Sequence, residues 1–73
     1  MFMRVLVTFA SAREASRCSR LLEESGIAIS VTAVPEDISA ECGIALFVKE
    51  EDRTACENII AENRIRATMH ERI

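Results

Sequence analysis

Three cysteines and one histidine have the widest chemical range of any side chains in this chain: Cys18, Cys42, Cys56 and His70. The cysteine count is odd, and neither gap between successive cysteines gives a CxxC pair or the ligand spacing of a zinc site. A single histidine cannot complete a structural metal site or a Ser-His-acid triad. We therefore expect reduced thiols, no bound metal and no cofactor. His70 lies close to the chain end and is expected to be a solvated residue without a partner.

The first and last cysteines lie in segments with helical periodicity. In SAREASRCSRLLEESG, Cys18 shares a narrow apolar stripe with Leu22, and in EEDRTACENIIAEN, Cys56 shares one side with Ile59 and Ile60. A free cysteine often packs as a small hydrophobic residue. Both thiols are therefore predicted to be buried and structural.

Cys42 has a different setting, in the stretch SAECGIALF. It ends the longest connection of the chain, PEDISAEC, and Gly43 follows it directly. Glycine lets the backbone adopt a left-handed conformation or approach a partner closely. Two interpretations remain open from position alone. Cys42 is either a reactive thiol in a functional loop, or it tucks its sulfur under the sheet end while Gly43 begins a strand.

Composition excludes several classes of protein. The chain has 73 residues, which suits a single domain over residues 1–73, and its net charge of −3 supplies no basic field for nucleic acid. No apolar run is long enough to span a bilayer, and no cleavage pattern follows the first strand-like segment. We therefore expect a soluble cytoplasmic protein that binds neither nucleic acid nor membrane.

Periodicity predicts six elements in the order strand, helix, strand, strand, helix, strand. Alternating apolar residues indicate strands, and apolar residues three and four apart indicate helices. A possible capping box joins Ser11 to Glu14, Gly26 suits a helix C-terminal cap, and Pro35 ends the second strand. The predicted ranges are 3–9, 11–26, 27–34, 43–49, 50–63 and 65–69.

This order predicts an α+β fold, a ferredoxin-like βαββαβ sandwich. Its four-stranded antiparallel sheet has two helices on one face, with strands one and three in the centre. Alternation then puts Leu6, Ala45 and Phe47, together with Phe2, on the face without helices. We expect this apolar patch to be a partner interface through which the protein forms a homodimer or binds another protein.

The order and spacing of short motifs resemble a small bacterial family of domains of unknown function, described as putative selenium or sulfur carrier protein-like. In that family a strand ends in Phe or Pro with Ser and Thr, and a helix ends in Leu, two variable residues and Gly. A second strand ends in Val-Pro, and a Ser-rich loop reaches Cys-Gly before an apolar strand. The matching positions here are Phe9, Ser11, Leu22, Gly26, Val34, Pro35, Ser39, Cys42 and Gly43.

The resemblance implies a carrier protein rather than an enzyme. Cys42 would take sulfur or selenium from a donor's persulfide, hold it, and pass it to an acceptor protein. Glu36 and Phe47 stand where relatives often carry basic residues, so backbone amides around Gly43 are the expected source of anion stabilisation. A second interpretation remains open: a regulatory or interaction module that dimerises through the open sheet face and binds a small molecule or partner.

Overall fold

The computed structural model describes residues 4–34 and 43–72, the last two by their backbone alone. A short 3-10 turn, Glu50–Asp52, precedes the second helix. The strands and helices are β1 (Arg4–Phe9), α1 (Ala12–Glu24), β2 (Ile29–Ala33), β3 (Ile44–Lys49), α2 (Arg53–Glu62) and β4 (Ala67–Arg72). This is the predicted order.

The four strands form one antiparallel sheet in the order β2-β3-β1-β4. The two central strands pair Leu6 with Phe47, and β4 pairs with the other side of β1. Both helices contribute to the single core on one face of this sheet. The predicted ferredoxin-like α+β fold, with strands one and three in the centre, is confirmed.

The core lies between the sheet and the helices. Alternate residues of β1 and β3 face it, and α1 adds its apolar stripe while α2 adds Cys56. Burying a leucine side chain such as Leu22, which has no exposed surface, stabilises the fold by about 1.5–3 kcal/mol. The fully or nearly fully buried members are Val5, Val7, Phe9, Ala15, Cys18, Leu22, Leu46, Val48 and Cys56.

The ends of α1 follow the predicted signals. Ser11 is the N-cap, and its hydroxyl oxygen accepts a hydrogen bond from the Glu14 N–H at 3.3 Å. Gly26 has φ +79°, and Ile27 donates its N–H to the Leu22 carbonyl at 3.0 Å. The Glu14 carboxylate, however, accepts a hydrogen bond from the backbone N–H of Arg66 instead of closing a capping box.

The last strand begins and ends later than the sequence pattern predicts. It spans Ala67–Arg72 instead of residues 65–69, because the chain leaves α2 through Arg64, which has φ +54°. Ile65 then donates its N–H to the Ile60 carbonyl at 3.0 Å and packs into the core before the strand starts. Alternation alone could not separate this buried turn residue from a strand residue.

Two apolar residues whose strand alternation places them on the helix side of the sheet are exposed. Val31 is 65% exposed and Ile44 is 39% exposed. Val31 pairs with the core residue Leu46 and so lies on the helix side of the sheet, but it belongs to an edge strand. The helix layer does not extend far enough to cover it.

Candidate functional site

Gly43 is the described residue closest in sequence to the predicted thiol. Cys42 itself lies outside the described residues. Gly43 is exposed, has φ +71°, and its missing Cβ would point into open space. Its carbonyl accepts a hydrogen bond from the Val34 N–H at 3.2 Å. Val34, before the connection that contains Cys42, and Gly43, after it, are therefore hydrogen-bonded to each other.

Three other chain segments meet at this end of the sheet. They are the end of β1, the start of α1 at Ser11 and the start of β4. Ala10 donates its N–H to the Arg66 carbonyl at 3.2 Å, which brings Arg66 to this end on the far side of β1. The Arg66 side chain is 81% exposed and lies 3.6 Å from the Glu14 carboxylate. The sequence gives no signal for this cation, because pairing of β1 with β4 positions it.

Cys18 and Cys56 are free thiols with no exposed surface, as predicted. Both belong to the core cluster, where α1 and α2 bring the two thiols close enough to interact with each other. The two helices therefore bring their cysteines into direct contact, which the sequence analysis did not predict. The apolar stripe of each helix was the signal that could have suggested it.

Burial makes both thiols poor nucleophiles for an external partner. The hydrogen bond to Cys56, followed by burial, raises the pKa of Cys18 well above its ordinary value. The pKa of Cys56 is lowered, chiefly by the same hydrogen bond, although burial and the charges of Glu57 and Asp52 oppose this shift. Neither sulfur is accessible from solvent in the folded protein.

The predicted interface residues lie together on the sheet face opposite the helices, but only one of them is exposed. Leu6 and Ala45 have no exposed surface, and Phe47 is half-buried. Leu6 sits between its cross-strand neighbours Phe47 and His70, in the middle of the sheet. Phe2, the fourth member of the predicted patch, lies outside the described residues.

Cations surround the exposed part of Phe47. The Arg4 guanidinium lies over the Phe47 ring, 4.4 Å from its centroid, in a cation–π contact. Arg4 pairs with Lys49 across the two central strands, and the Lys49 ammonium is 4.0 Å from the Glu51 carboxylate. This part of the open face therefore combines one aromatic ring with two positive charges.

His70 has a partner, contrary to the sequence expectation. It lies in β4, is half-buried, and its Nε2 atom is 3.3 Å from the Thr8 hydroxyl oxygen. Thr8 is itself buried and lies 3.5 Å from the Thr68 carbonyl, to which its hydroxyl donates. Extension of β4 past the predicted end carries His70 into the sheet.

Residues 4–34 and 43–72 contain neither a cluster of metal ligands nor a helix that could span a membrane. No three His, Cys, Asp or Glu side chains among them are arranged to hold a metal ion. In the same part of the chain, neither helix has the length and apolar character needed to cross a membrane.

Comparison with known proteins gives one match. No curated protein and no solved structure showed significant similarity. A family model described as "Putative Se/S carrier protein-like" matches residues 4–70, which includes both helices, the first three strands, most of β4 and the Cys42-Gly43 pair. The match covers nearly the whole chain and agrees with the fold and with the motifs around Gly26, Pro35 and Cys42. The chain belongs to this family of Se/S carrier-like proteins.

Proposed function

We propose that this protein carries sulfur or selenium as a persulfide or selenopersulfide on Cys42. The observation that carries the proposal is the burial of the other two cysteines, which have no exposed surface and contact each other. A carrier needs one thiol that another protein's sulfur can reach, and Cys18 and Cys56 do not meet that need. Family membership supports the same chemistry.

The transfer is an exchange between sulfur atoms. The Cys42 thiolate attacks the outer sulfur of the donor's persulfide, the donor's S–S bond breaks, and a new S–S bond forms on Cys42. The donor leaves as a thiolate, and the proton stays on the transferred sulfur, so no outside oxidant or reductant is needed. A nucleophile of the acceptor then repeats the attack on the carried atom. The protein turns over nothing by itself and is a carrier, not an enzyme.

Gly43 supports the exchange by keeping the backbone beside Cys42 free of a side chain. Its left-handed conformation and open surroundings leave room for a partner's chain to approach. Backbone N–H groups near such a residue stabilise a thiolate. The exchange starts from a reduced thiol on Cys42, and cytosolic thiols are kept reduced, so the proposal includes a cytoplasmic site of action.

Donor and acceptor proteins are proposed to dock on the open sheet face beside Phe47. The ring, with Arg4 above it and Lys49 beside it, suits a partner surface that combines an apolar side chain with acidic residues. The burial of Leu6 and Ala45 leaves Phe47 as the contact residue of the predicted patch.

The carrier proposal is tested by intact-protein mass spectrometry after incubation with a cysteine desulfurase and cysteine. Wild type is expected to gain one sulfur atom, and Cys42→Ser none. Gly43→Ala is expected to gain sulfur more slowly than Gly26→Ala. The second variant is a matched control, because Gly26 has a similar φ of +79° and equally open surroundings but lies far from Cys42 in the sequence. Each of these substitutions strains the backbone by about 1–2 kcal/mol.

Equal sulfur uptake by wild type and Cys42→Ser would contradict the carrier function, and so would no uptake by wild type from several donors. Either result would favour the regulatory or interaction module instead. Uptake by Cys18 or Cys56 in the folded Cys42→Ser variant would contradict their burial.

A further inference from the structure

The outer edge of β2 has an open row of backbone hydrogen-bonding groups. Val34 donates its N–H to the Gly43 carbonyl, so these two residues form a hydrogen-bonded pair of the antiparallel β2–β3 ladder. Such pairs alternate along the ladder, so Ser30 and Thr32 also bond to β3. The N–H and C=O groups of the other three residues then point away from the sheet. No hydrogen bond from another described residue reaches these three: Ile29, Val31 and Ala33.

The side chains of this edge do not protect it from pairing. The strand ISVTA contains no charge and no proline, and its central residue, Val31, is the most exposed large hydrophobic residue in the described part of the chain. Edge strands are usually shielded by charges, proline or bulges. The opposite edge strand, β4, has that protection, since its sequence ATMHER ends in two charged residues.

One side of α1 runs along a groove above this edge. Glu23 lines the groove together with Gly26 and a row of edge residues that includes Ile29 and Val31. The adjoining groove along the same side of α1 is lined by Ser16, Ser19, Arg20, Glu23 and Glu24. The helix surface next to the edge therefore combines small side chains with charges of both signs.

We infer that a second copy of this chain occupies the β2 edge, with the two β2 strands antiparallel about a two-fold axis at Val31. Val31 then pairs with the partner's Val31, and Ile29 pairs with the partner's Ala33. All three are outward-facing positions, so the pairing forms about six backbone hydrogen bonds. The sheet becomes continuous through both copies, and the exposed Val31 side chains cover each other.

Charge complementarity selects a second copy over an unrelated partner. A two-fold axis makes the two α1 helices run in opposite directions, so the groove that carries Arg20, Glu23 and Glu24 in one copy lies on the same side of the sheet as the identical groove of the other. Each copy thus supplies both the cation and the acids. The small side chains of Ser16 and Ser19 let the helices approach across the axis.

The edge interface is separate from the open sheet face. The side chains of Leu6, Ala45 and Phe47 lie on the face opposite the helices, whereas Val31 lies on the helix side. Dimerisation at the edge therefore leaves the Phe47 surface free for a donor or acceptor protein.

The experiment is sedimentation equilibrium of wild type and four variants, each checked for native circular dichroism. Wild type is expected to be a dimer, and Val31→Lys a monomer at the same concentration. Val31→Pro is expected to be monomeric too, since it removes an outward N–H and no bond to β3. Phe47→Glu and Thr68→Lys, on the other face and the other edge, are expected to stay dimeric. A monomeric wild type at the highest attainable concentration, or a dimeric Val31→Lys, would overturn the proposal.

Amide hydrogen exchange of wild type gives a second test that needs no variant. The outward amides of Ile29, Val31 and Ala33 are expected to be protected at dimer concentrations and to exchange rapidly on dilution. The inward amides of Ser30 and Thr32 are expected to be protected at both concentrations. Rapid exchange at Val31 in the concentrated sample would overturn the proposed pairing, whatever the variants show.

Discussion

The two faces of the sheet bury leucines in different surroundings. On the helix side, Leu22 packs in a cluster of apolar side chains and two thiols that α1 and α2 close completely. On the other side, Leu6 is equally buried, but its strand neighbours include Thr8, Phe47 and His70, with the Thr8–His70 contact beside it. The helix side is built for stability, whereas the open side combines buried apolar atoms with polar and charged groups that can meet a partner.

The largest expected change in the free energy of unfolding comes from replacing one leucine on each sheet face by alanine. Leu22→Ala is expected to lower the free energy of unfolding by about 2–5 kcal/mol, because the closed cluster can collapse only partly into the cavity. Leu6→Ala is expected to cost less, near the lower end of that range, because the polar neighbours can rearrange and admit water. Urea denaturation of both variants measures the difference, and an equal or larger loss for Leu6→Ala would remove the contrast.

Titration of the buried thiols is expected to have a smaller effect on the free energy of unfolding. The pKa of Cys18 is raised in the folded protein, whereas the unfolded chain titrates near 9.0, so the folded state keeps a proton that the unfolded state loses. The stability that the Cys18 thiol contributes is therefore complete below pH 9 and declines above it, by about 1.4 kcal/mol per pH unit for one proton. The lowered pKa of Cys56 acts in the opposite sense, but only below pH 9, so the decline dominates above that pH.

The matched comparison is Cys18→Ala/Cys56→Ala. Measured by urea denaturation between pH 8 and about pH 10.5, the stability difference between wild type and this variant is expected to shrink as pH rises. A difference that stays constant over that range would show that the folded pair ionises as readily as unfolded thiols do.

The smallest change in stability is expected on the open face, at Phe47. Phe47→Glu removes the contact with Arg4, which is worth about 0.5–1 kcal/mol at a partly exposed site, and the new carboxylate can pair with the same guanidinium. Stability should therefore change by less than about 1 kcal/mol. Sulfur uptake from a donor protein should fall severalfold, while uptake from a small inorganic polysulfide stays at the wild-type rate. A parallel fall with both donors would show that Phe47 affects the thiol and not docking.

Local patterns predicted the elements and the burial of Cys18 and Cys56. Alternation and helical spacing identified six elements in the right order, because side-chain period follows directly from backbone geometry. Gly26 ended α1 as expected, since few residues other than glycine adopt a positive φ without strain. The burial of Cys18 and Cys56 followed from their positions on apolar stripes. Gly43 adopts a left-handed conformation, which is one of the two roles that the sequence suggested for a glycine after Cys42.

Contacts between segments that are distant in the sequence could not be predicted from local patterns. The interaction between the free thiols of Cys18 and Cys56 depends on how the two helices pack. The contact between Thr8 and His70 depends on β4, which continues past the alternating residues that predicted it. Arg66 reaches the end of the sheet near Gly43 only because β4 pairs with β1.

The sequence by itself determined which residues are apolar, which segments are strands and helices, and which two cysteines lie on apolar helix stripes. Only the tertiary structure decided which apolar side chains are covered. Leu6 and Val31 occupy similar alternating strands, yet Leu6 has no exposed surface and Val31 is 65% exposed. The physical reason is position in the sheet. A central strand has neighbours on both sides, whereas the edge strand β2 has one neighbour and extends beyond the helix that would cover it.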